Sequence, residues 1–201
     1  MGERDWRVVT RGEARELLPV IQPFFGALVG RYNEERCCPH EYQELRRIFG
    51  TPIAVRAGDI SRALRWKYAR NKLLSTHRVA AKRFVKRWKL VCEARTLEKR
   101  VDALSEPDAR SHDFVSRVFL VHLTAPDKVP MIDRFNHRAV RWLLGTVRPA
   151  FVLGGEPLVY DDVVLLGNFI DGIRSAWIGV PPKRQVMDRY LMMLGRQVAP
   201  R

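Results

Sequence analysis

The chain is 201 residues long, 46% hydrophobic and 29% charged, which suits one large domain or two small lobes with a real core and excludes wholesale disorder. Thirty-six Lys and Arg face 22 Asp and Glu, giving a formal charge of +14 and a pI near 10.4, so the field of the whole molecule attracts polyanions. Three cysteines, two of them adjacent at Cys37 and Cys38, make no disulfide framework and fit a reducing cytosol.

A metal centre would need Cys37, Cys38, His40 and Cys92 to converge, and adjacent cysteines are poor tetrahedral neighbours, so neither a metal nor a cofactor is expected. The N-terminus carries no secretory pattern. The apolar stretch 17–29 is too short to span a bilayer and is interrupted by Pro19, Gln22 and Pro23. The expected setting is cytoplasmic, nucleoid-associated if the chain binds DNA, with no membrane partner.

Helical spacing dominates along the chain. Thr10 and Glu13 have the form of a capping box opening a helix with Leu17 and Leu18, which the prolines at 19 and 23 are expected to bend or break. Residues 41–49 predict a short helix ending at Gly50. Residues 51–59 (TPIAVRAGD) predict a loop with room for one short strand, and Asp59 or Ser61 is placed to cap a helix carrying Ile60, Leu64 and Tyr68. Residues 77–100 predict one long helix with Val79, Phe84, Val85, Trp88, Val91 and Cys92 toward the core and an almost purely basic opposite face.

Residues 105–111 (SEPDARS) form the clearest linker. Beyond it the pattern predicts helices over about 113–124, 133–146, 160–177 and 183–195. Ile132, Phe135, Ala139 and Trp142 or Leu143 share one face of the second of these, and Val186, Tyr190 and Met193 point inward on the last. The expected architecture is all-α with few or no strands. It is a single helical unit, 1–201, in two lobes with a cleft between them: a basic lobe 1–104 and a lobe 111–201 carrying Asp133.

The positive charge is concentrated. Between residues 62 and 100 there are 14 basic residues against Glu93 and Glu98, so almost the whole net charge lies in this segment. Aromatics are interleaved with Arg62, Arg65, Lys67, Arg70, Lys72, Arg78, Lys82, Arg83, Lys86, Arg87 and Lys89, the usual footprint for a phosphate backbone. A balanced charged face is ordinary solvation. Like charges four apart, as in Lys82 with Lys86 and Arg83 with Arg87, destabilise an isolated helix and make sense where a polyanion neutralises them.

The stretch VPMIDRFNHRAVRWLLG, 129–145, is a buried extended step delivering Asp133 to the first turn of an amphipathic helix. Orphan N–H groups and the helix dipole stabilise negative charge there, so on residue type alone such an Asp is a cap. Asn136, His137 and Arg138 lie within reach in the next turn and are candidates for supporting it.

Pro130-Met-Ile-Asp133 followed by Arg138 five residues on, after a helix and a Pro-containing loop in SHDFVSRVFLVHLTAPDKVPMID, resembles the helix-hairpin-helix DNA glycosylases over about residues 110–146. The rest matches by helix order, with 160–177 and 183–195 as closing helices. The resemblance implies hydrolysis of the N-glycosidic bond of a modified or damaged base in double-stranded DNA, with Asp133 as catalytic carboxylate and Ser111 and His112 at a phosphate-binding hairpin. Two hairpin glycines of the family are Ser111 and Asp113 here. The Schiff-base lysine of lyase-competent members falls at Val115, the interval from Pro130 to Asp133 is one residue longer than usual, and the four-cysteine cluster of some members is absent. What remains is a monofunctional enzyme that leaves the strand uncut.

A lone carboxylate suits that chemistry, because breaking the bond develops positive charge on the sugar that a fixed anion stabilises. The target base must leave the stack, which calls for a pocket and a wedge; Trp66, Tyr68, Trp142 and Trp177 are candidates, although aromatics at helical spacing are more often core. Two other readings stand beside the enzyme. One is a non-catalytic helical DNA- or RNA-binding protein; the other is an interaction protein whose basic surface meets an acidic partner.

Overall fold

Thr10 and Glu13 open the first helix as their spacing predicts. The Glu13 carboxylate accepts from Thr10 N at 2.8 Å, and the Thr10 hydroxyl accepts from Glu13 N at 3.4 Å. The computed structural model describes residues 5–35, 39–68, 73–105, 113–148 and 158–198. Among these residues all regular structure is helical: α1 (Arg11–Glu35), α2 (Pro39–Phe49), a 3-10 turn at Pro52–Ala54, α3 (Ala57–Lys67), α4 (Ser75–Glu93), α5 (Leu97–Ala103), α6 (Phe114–Thr124), α7 (Arg134–Val147), α8 (Tyr160–Ala176) and α9 (Arg184–Gln197). None of them is long and apolar enough to cross a membrane.

Three local expectations are corrected. Helix α1 runs through both prolines, which sit on its exposed side, where the carbonyls they leave without an N–H partner can turn to water. The expected helix over 77–100 is two helices. Ala94 is extended and Thr96 accepts from Lys99 N at 3.2 Å, which starts α5 afresh. The room for a strand near Pro52 is taken by the 3-10 turn, whose Pro52 carbonyl accepts from Trp88 Nε1 at 2.8 Å.

The chain forms two compact units, residues 1–37 with 132–201 and residues 38–131. This division differs from the expected lobes 1–104 and 111–201. The first helix joins the C-terminal half because its apolar side, Leu17, Ile21 and Leu28, packs on α8 and α9.

In the first unit α7 lies chiefly along α9, with Ile132, Ala139, Leu143 and Leu144 fully buried on one side and Tyr190, Leu191 and Met193 on the other. A Cβ at Gly195 would land on the Phe135 carbonyl, so only glycine allows α9 to approach the first turn of α7 this closely. At the other end of α7, Arg148 donates to Glu13 at 2.6 Å and to the Trp6 and Val8 carbonyls at 2.9 and 2.6 Å. That guanidinium holds the Glu13 carboxyl down to about 2.

In the second unit α4 packs on α3 and α5, and α6 on α2, α3 and α5. Ala80, Ala81, Phe84, Trp88 and Val91 form the buried face of α4. Val79, expected inward, is 64% exposed, because the inward face starts one position later.

Candidate functional site

Asp133 is the N-cap of α7. Its Oδ1 accepts from Phe135 N at 2.8 Å and Asn136 N at 3.0 Å, while Asn136 Oδ1 accepts from Asp133 N at 2.7 Å. The buried Val129, Pro130 and Ile132 fix the chain entering this turn, and Asp133 itself is half-buried. One oxygen of the carboxylate is therefore held in place by two backbone amides of the first turn of α7. Such a group can stabilise developing positive charge or orient a water without reorganising.

The residues expected to support Asp133 divide their contacts. Asn136 is buried and locks the Asp133 backbone. His137 is buried and its Nε2 donates to Asp162 Oδ1 at 3.2 Å, while Asp162 Oδ2 accepts from Val159 N at 2.8 Å. One carboxylate thus ties the first turn of α8 to the first turn of α7. Arg138 is half-buried, donates to the Gly195 carbonyl at 3.3 Å and lies 5.8 Å from the centroid of Phe135. Sequence reasoning missed Asp162; its only local sign is the acidic pair Asp161-Asp162 in the first turn of α8.

The basic segment is sorted by the fold. Arg65, Arg78, Lys82, Lys86 and Lys89 are exposed, and the last four form one stripe along α4, with Lys89 also 3.9 Å from Glu93. Successive charges four residues apart are about 6 Å apart along the helix. Three of the expected phosphate-binding residues are instead turned to protein partners. Arg62 pairs with Glu41 and Glu44 at 3.1 and 2.5 Å, Arg83 with Asp113, and Arg87 donates to the Ala103 carbonyl at 2.6 Å. Lys67 is half-buried with its ammonium 5.5 Å from the Phe119 ring. Arg70, Lys72, Ser111 and His112 lie outside the described residues.

The proposed wedge aromatics are largely structural. Trp66 stacks between Tyr42 and Phe119 at 5.0 and 5.6 Å, and Tyr68 stacks on His77 at 3.9 Å with its hydroxyl 2.5 Å from Ser116. Trp177 meets Phe25 edge-on at 5.0 Å, and Trp142 is half-buried on α7. The planar packing of Trp66 and Tyr68 inside the second unit takes the ring faces a wedge would offer to bases.

Asp113, at the start of α6, is buried. Its Oδ1 accepts from Arg117 Nε at 3.0 Å and its other oxygen meets Arg83. Arg117 also donates to the Val101 carbonyl at 3.3 Å, and burial pushes its guanidinium below the ordinary value. Further along α6, His122 is fully buried. Its Nδ1 lies 2.6 Å from the Val129 carbonyl and must donate there, which leaves Nε2 to accept from the Tyr42 hydroxyl at 2.6 Å. Burial holds this imidazole neutral, bringing it down to about 4.

No protein-family model matches the chain, and no curated protein or solved structure matches it either.

Proposed function

We propose that this chain is a DNA-binding N-glycosylase that hydrolyses the bond between deoxyribose and a modified or damaged base, with Asp133 as its catalytic carboxylate. The observation that carries the reading is the setting of Asp133: half-buried, with one oxygen held by two backbone amides at the start of a helix. As the C1′–N bond breaks, the electron pair leaves with the base and positive charge grows on the sugar, opposite this fixed anion. Water then adds to C1′ and its proton goes to the departing base, so the sugar-phosphate strand stays intact. The exposed stripe Arg78, Lys82, Lys86 and Lys89, with Arg65, supplies sequence-independent affinity for the phosphate backbone.

A second reading, a nucleic-acid-binding protein without catalysis, is favoured by one observation. Asp113, at a position where the resembled family carries a hairpin glycine, is a buried acid committed to Arg83 and Arg117. An acid there offers nothing to a phosphate.

The test is incubation with duplexes carrying a panel of modified and damaged bases, followed by alkali to cut at abasic sites. Release by the wild type, falling by about 10²–10³-fold in Asp133→Asn, supports the enzyme. Salt-sensitive binding with no release on any duplex supports the second reading. An absence of DNA binding near physiological salt overturns both in favour of an acidic protein partner.

A further inference from the structure

We propose that α4 is a recognition helix that enters the major groove of B-form DNA, with Ser75, Val79, Lys82 and Lys86 along the groove floor. The inference rests on the nucleic-acid part of the reading above, and not on its catalytic part. It adds contact with base edges, which a stripe that meets only phosphates does not make.

The placement follows from which side of α4 the core takes. Ala80, Ala81, Phe84, Trp88 and Val91 are buried, and the helix packs on α3, α5 and the 3-10 turn. Ser75, Val79, Lys82 and Lys86 are all exposed and are spaced four, three and four residues apart, which sets them in one line on the opposite side. At about 1.5 Å per residue that line is about 16 Å long, the length of about four to five base pairs. Arg78 and Lys89 stand to one side of it, and Arg65 is exposed near the end of α3.

The residues on the line are more than a source of charge. Helix α4 carries no acid before Glu93, its last residue, and among the described residues Arg78, Lys82 and Lys86 have no acidic partner. The whole outward side is therefore complementary to a polyanion. Val79 lies between these cations and is 64% exposed, with Leu90 exposed further along the same side. A phosphate gains nothing from a valine methyl, and a branched side chain does not improve an exposed helix. The major groove offers such a group a partner in the C5-methyl of thymine. Lys82 and Lys86 match guanine O6 and N7, and the Ser75 hydroxyl can donate to or accept from a base edge.

The surroundings of α4 fit the same placement. Helices α3 and α4 pack on each other across a short connection at 68–74. In such a pair the second helix occupies the groove while the first meets the backbone, so Arg65, Arg78 and Lys89 are left to the phosphates. The occupant is duplex DNA and not duplex RNA. A helix about 10–12 Å across fits the B-form major groove, about 12 Å wide, whereas the A-form groove is too narrow to admit it.

The experiment uses the full chain and three single variants at exposed positions, Val79→Ala, Lys82→Ala and Lys89→Ala, each with an unchanged helical circular-dichroism signal. From a pool of random duplexes the wild type is expected to enrich a short motif and to shield guanine N7 within it from methylation by dimethyl sulfate. Lys82→Ala is expected to weaken binding to the enriched duplex by about 10-fold and to relax the preference at one base pair. Val79→Ala is expected to relax the preference at a T·A pair and to leave the salt dependence unchanged. Lys89→Ala is expected to weaken every duplex alike and to reduce the slope of log affinity against log salt by about 1. Salt-sensitive binding by the wild type that enriches no sequence and shields no N7 overturns the recognition helix and leaves nucleic-acid binding standing. Uniform weakening of all duplexes by all three variants does the same. Duplex RNA of the enriched sequence competing as well as the DNA overturns entry into the major groove. A wild type that binds no duplex overturns this inference together with the reading it rests on.

Discussion

Two aspartates stand at the N-cap positions of helices in different units, and they do opposite things. Asp133 caps α7 through Phe135 N and Asn136 N, whereas Asp113 makes no cap on α6 and gives its carboxylate to Arg117 and Arg83. The local position is the same. What differs is the neighbourhood: Asp113 is buried among guanidiniums, whereas Asp133 is half-buried and its Oδ1 accepts from the Phe135 and Asn136 backbone amides. A buried charge must first satisfy its counter-charge, so Asp113 has no capacity for a ligand, whereas the charge at Asp133 is met by the amides and dipole of a helix start.

The sharpest way to break this contrast is Asp113→Ala. It strands the buried Arg117, and unfolding in denaturant is expected to show a loss of about 3–5 kcal/mol. A loss below about 1 kcal/mol would show that the Asp113 cluster is not the internal brace of its unit.

A smaller effect is expected at the other polar contact of α6. Tyr42→Phe leaves His122 Nε2 without its donor and is expected to cost about 1–3 kcal/mol by the same measurement. The pH dependence follows from burial. The folded imidazole is brought down to about 4 from a usual 6.5, so between these values the unfolded chain binds the proton and the folded chain does not. The contribution of His122 is fully present above about 6.5 and is lost progressively as pH falls toward about 4. Imidazole carbon shifts followed by NMR are expected to show His122 neutral in the folded protein down to that range.

The smallest expected change in stability is at Asp133. Because Asn is as good an N-cap as Asp, Asp133→Asn is expected to shift unfolding by no more than about 0.5 kcal/mol while lowering any base release by about 10²–10³-fold. A large loss of stability there would return Asp133 to a purely architectural role and bring the two aspartates back to one kind.

The positive residues show a similar division. On α4 they are spread along an exposed stripe, where they contribute field and affinity. On α7 and α9 they are gathered on one ring by a close helix crossing, which is a geometric device. The stripe was legible in the spacing of Arg78, Lys82, Lys86 and Lys89. The gathered set was not, because Arg196 is far along the chain and Gly195 reads in sequence as an ordinary small residue near a helix end.

Helix content, the capping box at Thr10 and Glu13, the start of α7 at Asp133 and the location of the positive segment were determined by the sequence itself. Each depends on groups within about one helical turn of each other, where covalent spacing sets what can touch. The run of α1 through two prolines, the outward turn of Val79 and the break before Thr96 depended on which face each helix buries. Only the tertiary structure decided that α1 belongs with the C-terminal half, that Arg83 serves Asp113 and that three arginines share Phe135. Those contacts join residues far apart in sequence, and they form only where packed apolar faces bring the polar groups together.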